Sequence, residues 1–112
     1  LIINIVLILK LYQIKLKKMN KEQALVQVQR IIELCGKRRF KKMFSIYSKN
    51  PQITGDGLWY KYELTVSDCW ESMVFSNRLS KSGFYRNTHN PIGHFMARFI
   101  EVMNDAKKCN LI

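Results

Sequence analysis

The residues able to do chemistry are few and scattered. Histidine occurs at His89 and His94 only. The spacing H-N-P-I-G-H sets the first before a helix start and the second inside the helix. No Cys, Asp or Glu lies close enough in sequence to complete a metal set. Both read as surface or capping residues. Cys35, Cys69 and Cys109 stand far apart, with no C-x-x-C pair among them. They read as small hydrophobes in a reducing cytoplasm, not as a disulfide framework. A nucleophile–base pair of Cys69 with a histidine has no support in the spacing. The eight acidic residues are dispersed, and Asp56 and Glu63 have plain readings as a turn residue and a strand-surface charge. Neither a P-loop nor a G-x-G-x-x-G stretch occurs. The reading is non-enzymatic, with no metal and no cofactor.

Charge is the stronger signal. "CGKRRFKKMFSIY", residues 35–47, packs Lys37, Arg38, Arg39, Lys41 and Lys42 around a lone Phe40. At helical spacing Phe40, Met43, Phe44 and Tyr47 share one face. Arg38, Arg39, Lys41 and Lys42 take the opposite side, and Lys37 flanks the apolar stripe. A plain solvated face would follow the same period. The density argues for more, because no acidic residue occurs between Glu33 and Asp56. Like charges at this spacing cost a few tenths of a kcal/mol per pair unless an anion offsets them. Over the whole chain, 19 Lys and Arg against 8 Asp and Glu give +11, which favours an anionic partner.

The expected function is nucleic-acid binding. Lys37, Arg38, Arg39, Lys41 and Lys42 form the grip, with Lys61 on the outer sheet face and Arg78, Lys81 and Arg86 near the sheet ends. Trp59 on the outer sheet face is the candidate for base stacking, and Tyr85 reads better as core. No RNP, zinc-finger or homeodomain signature is present, and residues 64–86 lack the turn glycine of a helix-turn-helix. The style of the chain suggests a small accessory protein of phage or mobile-element type. The alternative is a non-enzymatic inhibitor or modulator that docks on an acidic host protein or defence complex, with exposed aromatics as anchors.

These residues need a scaffold, and a chain of 112 residues with 47% hydrophobic content builds one domain at most. "LIINIVLILKLYQIKLKK", residues 1–18, stands apart from the rest. Its apolar run stops at Lys10, short of the roughly 20 residues a membrane span needs. Its charges come last, unlike a signal peptide. It reads as an upstream extension, with the native start at Met19; without Lys10, Lys15, Lys17 and Lys18 the charge drops from +11 to +7. If native, it would pack on the domain or lie at a membrane interface. The basic domain then comprises residues 19–112.

Within it, Asn20 and Gln23 suggest a capping box ahead of a helix over 20–35, and Gly36 a stop. A second helix covers 37–48, ended by Pro51. Gly55-Asp56-Gly57 reads as a turn into a strand over 58–66, with Leu58, Tyr60, Tyr62, Leu64 and Val66 on one face. Residues 67–80 are ambiguous between helix and returning strand, and the alternation around Met73 and Phe75 favours strand. A short third strand is expected at 83–87. Asn90 and Pro91 open a last helix with a stripe of Ile92, Phe95, Met96, Phe99, Ile100 and Met103. The expected fold is α+β in the order α-α-β-β-(β)-α, with helices on one face of a small antiparallel sheet. Such a sheet leaves an edge through which the chain can dimerise.

Overall fold

In a computed structural model, described for the backbone of residues 2–112 and the side chains of residues 5–10 and 21–112, the chain is all-helical. Its order is α1 (Ile2–Cys35), α2 (Lys37–Lys49), α3 (Gly55–Val66), α4 (Glu71–Lys81) and α5 (Pro91–Lys108), with no strand among the described residues. The α+β expectation is therefore wrong, and with the sheet goes the edge proposed for dimerisation.

The helices read correctly from sequence share one feature: local signals and apolar period agree. α5 starts at Asn90, whose Oδ1 accepts from the Gly93 N–H at 3.0 Å, with Pro91 in the first turn. Its stripe of Phe95, Met96, Phe99 and Met103 is fully buried, and Lys107 and Lys108 sit in its last turn. α2 begins after Gly36, whose φ of 88° suits glycine and breaks the chain direction between α1 and α2. Met43 and Tyr47 are its buried anchors, and the Tyr47 hydroxyl donates to Asn104 Oδ1 of α5 at 2.6 Å.

The three expected strands fail for separate reasons. Over 58–66 the alternation at Leu58, Tyr60, Tyr62, Leu64 and Val66 overlaps a helical set. Leu58 and Tyr62 are buried and Trp59 and Val66 half-buried, whereas Tyr60 and Leu64 are 63% and 62% exposed. A helix start decides between the two periods. Thr54 Oγ1 accepts from the Gly57 N–H at 3.1 Å and Asp56 lies in the first turn, so Gly55-Asp56-Gly57 opens a helix where a turn was expected. At Gly55 a Cβ would stand 3.3 Å from the Ala97 backbone nitrogen, so α3 begins hard against α5.

Residues 67–80 are mostly α4, with Phe75 and Leu79 buried one turn apart. Residues 83–87 form turns, not a strand. A strand at 58–66 would thus have had no neighbour to satisfy its backbone groups. A helix satisfies them within the segment.

α5 is the central element, packed against α1, α3 and α4, while α2 bridges α1 and α3. Phe99 sits at the middle of the core, its ring against Phe40, Tyr47 and Phe95. The periods of the expected elements put Ile31, Ile32, Tyr60, Tyr62, Leu64, Phe95, Phe99 and Met103 in the core; Ile31, Tyr62, Phe95, Phe99 and Met103 are buried and Ile32 is half-buried, whereas Tyr60 and Leu64 are exposed.

α1 passes through Asn20 without interruption, so no helix starts there. The expected extension 1–18 lies mostly outside the residues whose side chains are described; within it, Ile5–Leu9 are exposed. Among the described residues no helix is long and apolar enough to cross a membrane.

Candidate nucleic-acid interface

The site is built where α1 ends. The last carbonyls of a helix have no partner within it, and the last turn of α1 carries no cation of its own. Two arginines from other helices supply the donors. Arg78 of α4 donates from Nε to the Leu34 carbonyl at 2.9 Å and from Nη2 to the Glu33 carbonyl at 3.0 Å. Arg39 of α2 donates from Nη1 to the Cys35 carbonyl at 3.2 Å. Both guanidinium groups therefore stand at the negative end of the α1 dipole.

Arg39 is held further by Glu71 in the first turn of α4. Its Nε lies 2.5 Å from Glu71 Oε1, and the Tyr62 hydroxyl donates to the same oxygen at 2.8 Å. The pair is mostly shielded, with the Arg39 and Glu71 side chains 18% and 13% exposed. Burial opposes the charge on Arg39, yet its bond to Glu71 carries the net shift upward. Burial, and then the bond to Glu71, pushes the Tyr62 hydroxyl up strongly, so it remains a donor. Burial likewise pushes the Cys35 thiol up to about 12. The Arg39 guanidinium also lies 5.1 Å from the centre of the Phe75 ring.

Around this half-buried triad is a pocket of about 290 Å³. Its walls include Gly36, Lys37, Arg38, Arg39 and Lys42 on one side and Tyr62, Val66, Asp68 and Glu71 on the other. A shallower depression of about 410 Å³ is lined by Arg39, Val74, Asn77, Arg78 and Lys81. Arg39 belongs to both. The cations of α2 and those of α4, separated by some forty residues of chain, therefore form one strip on either side of Arg39.

Of the ten residues predicted from sequence, six line that strip: Lys37, Arg38, Arg39, Lys42, Arg78 and Lys81. Lys41 is exposed on α2 beside it. Lys61 on α3 and Arg86 in the connection before α5 are exposed but line neither depression. Two corrections follow from the geometry. Arg39 and Arg78, read from sequence as part of the grip, each spend donors on the end of α1, and Arg39 a further one on Glu71. Trp59 is not a stacking platform: it is half-buried, with its ring 5.4 Å from Tyr62 and 5.9 Å from Phe75, because α3 is a helix whose 59 position turns toward the core.

The exposed tryptophan is Trp70, 62% accessible at the start of α4. It stands between Asp68 and Glu71, both of which line the pocket. The signal that could have found it is Asp68, whose Oδ1 takes the Trp70 N–H at 2.9 Å and turns the chain outward before α4. Tyr85 is half-buried against the core, as expected, and burial raises its pKa.

His89 and His94 are exposed. No group of three or more potential metal ligands occurs among the described residues. Compared with protein-family models, with curated proteins and with solved structures, the chain matches none.

Proposed function

We propose that this chain binds nucleic acid through the phosphate backbone, using the strip formed by α2 and α4, without reading base sequence. The observation that supports it is the continuity of charge across Arg39. Lys37, Arg38, Lys42 and Lys81 line the two depressions, and none of them has a carboxylate partner among the described residues. The acids that line them are Asp68 and Glu71, and Glu71 is committed to Arg39. Phosphate contacts of this kind set position and affinity, not sequence preference. The three free cysteines suit a reducing cytoplasm.

The test is a fluorescence-anisotropy titration of labelled duplex at several salt concentrations. It compares the parent with a Lys37→Gln, Arg38→Gln, Lys41→Gln, Lys42→Gln variant. Arg39 and Arg78 stay in place because the fold uses them. Folding should be retained, since these four are at the surface. Affinity should fall alike for all duplex sequences, and the slope of log K against log salt should flatten by roughly 0.9 for each phosphate no longer neutralised. A variant that binds like the parent would reduce the strip to solvated helix surface. The competing reading, docking on an acidic partner protein, draws on the exposed pair Tyr60 and Leu64, one turn apart on α3. In that case the Tyr60 and Leu64 face, and not the nucleic-acid affinity, would govern recovery of a single partner from the native host.

A further inference from the structure

Independently of the strip on α2 and α4, we infer that a groove along α1 docks a short acidic and apolar segment of a partner protein, with a carboxylate on Arg30 and an apolar side chain against Val26 and Phe84. Two depressions of about 220 and 450 Å³ make the groove. Val26, Gln27 and Arg30 line both, so the two are continuous. The smaller is walled by Leu34 of α1, by Phe84 and Tyr85, and by Arg98 and Val102 of α5. The larger runs out along α1 to Glu22. From Glu22 to Leu34 a helix rises roughly 18 Å, the span of about five residues of extended chain. No residue lining the groove lines either depression of the strip.

The wall opposite α1 is set by the connection after α4. Gly83 takes a φ of 85°, a conformation suited to glycine, and turns the chain there. The Phe84 N–H donates to Ser82 Oγ at 3.3 Å, and Tyr85 packs half-buried against the core. Phe84 is thereby brought to Arg30, whose guanidinium carbon lies 4.5 Å from the ring centre. This cation–π contact engages the charge of Arg30 and leaves its N–H groups unused: among the described residues no carboxylate pairs with them. A guanidinium held over a ring with its N–H fork free is prepared to take a carboxylate bidentately.

Apolar surface supplies the second half of the site. Val26 is 60% exposed and Phe84 56%, and a side chain laid against them would bury both. Gln23 and Gln27 offer amides to the backbone of the segment. Charge selects an acidic segment. Arg30 and Arg98 both line the smaller depression, and the bond of Arg98 to Glu101 is an exposed, screened pair. Glu22 lines only the larger one. An acid at the inner end therefore meets two cations. A nucleic acid laid along the groove would instead carry its phosphates onto Val26 and Glu22.

The experiment selects a displayed library of short random peptides on the full chain, counter-selects on Arg30→Gln and Phe84→Ser, and titrates the enriched peptides by fluorescence anisotropy. Both positions are exposed, and circular dichroism checks that the variants keep their helices. If Phe84→Ser does not fold, Arg30→Gln alone decides. The enriched peptides should carry Asp or Glu beside an aromatic or aliphatic residue. Arg30→Gln should weaken them roughly 10-fold or more, the effect of losing a charge-assisted bond. Arg30→Lys should weaken them less, because it keeps the charge and loses the fork. Phe84→Ser should cost roughly 5-fold or more, as the loss of an interface anchor does. Duplex binding should be unchanged in Phe84→Ser, so failure here leaves the backbone reading untouched. No enrichment over the variants, or enriched peptides that lack an acid, would overturn the inference. So would a dimer in sedimentation equilibrium that Phe84→Ser dissolves, since a second copy would then fill the groove.

Discussion

Removing the Glu71 carboxylate tests how the site is held together. In Glu71→Ala, Arg39 keeps its charge at 18% exposure with only the Cys35 carbonyl to bond, and the Tyr62 hydroxyl loses its acceptor at a buried position. Stripping one partner from a fully buried ion pair costs about 3–5 kcal/mol. The slight exposure here and the surviving carbonyl bond bring the expected cost to about 2–3 kcal/mol, of which the stranded Tyr62 hydroxyl supplies about 1 kcal/mol. A urea denaturation series on the parent, Glu71→Ala, Tyr62→Phe and the double variant reads it directly. Tyr62→Phe should cost less than Glu71→Ala, and the double variant less than the two added together, since both remove the same bond. A Glu71→Ala protein within about half a kcal/mol of the parent would show that solvent already satisfies Arg39 and that the triad does not organise the pocket. Glu71→Gln adds a functional reading. It retains an acceptor but discharges the acid, so phosphate binding should tighten and the salt slope should steepen by up to about 0.9.

Two further predictions concern the interior. Phe99→Ala empties the ring at the junction of Phe40, Tyr47 and Phe95, and should cost about 3–5 kcal/mol in the same denaturation assay; a loss under 1 kcal/mol would mean the core collapses readily around the gap. Cys35, with its thiol pushed from 9.0 to about 12, keeps its proton when folded while the unfolded chain ionises, so the stability it contributes is fully present below pH 9 and is lost as pH rises toward 12. Cys35→Ala should flatten that alkaline decline, leaving the part due to Tyr47, Tyr62 and Tyr85, and native labelling with a thiol reagent should mark exposed Cys69 long before Cys35; equal labelling rates would refute the burial argument.

The helices that the sequence reveals are those where caps and period point the same way, as at Asn90-Pro91 with Phe95 and Phe99. α3 misleads because its apolar residues are too frequent to define one period. Leu58, Tyr60, Tyr62, Leu64 and Val66 alternate, while Leu58, Trp59, Tyr62 and Val66 recur at helical spacing. The helix period prevails once Thr54 caps Gly57 and no second strand is present among the described residues to pair. That one misassignment also exchanges the tryptophans. On a strand Trp59 faces solvent; on a helix it turns toward Tyr62 and Phe75, and the exposed ring is Trp70. The basic residues were legible by type and number. Their division of labour was not, because the need of α1 for C-terminal donors appears only when α2 and α4 fold back on Glu33, Leu34 and Cys35.

That division sharpens the case for a ligand. Capping of α1 accounts for Arg39 and Arg78, and it leaves Lys37, Arg38, Lys41 and Lys42 unexplained. Two of these cations, Lys37 and Arg38, open the first turn of α2, where the helix dipole favours acidic side chains and the sequence has none. Lys37 with Lys41 and Arg38 with Lys42 also stand one turn apart, at a cost of about 0.2–0.5 kcal/mol for each such pair. Folding alone would be served better by Asp or Glu at 37 or 38, which would lower both penalties. The chain thus departs from local helix preference at the wall of this pocket, the kind of departure expected at functional sites. An anion bound among Lys37, Arg38 and Lys42 offsets both penalties, whereas bulk solvent relieves them only by screening.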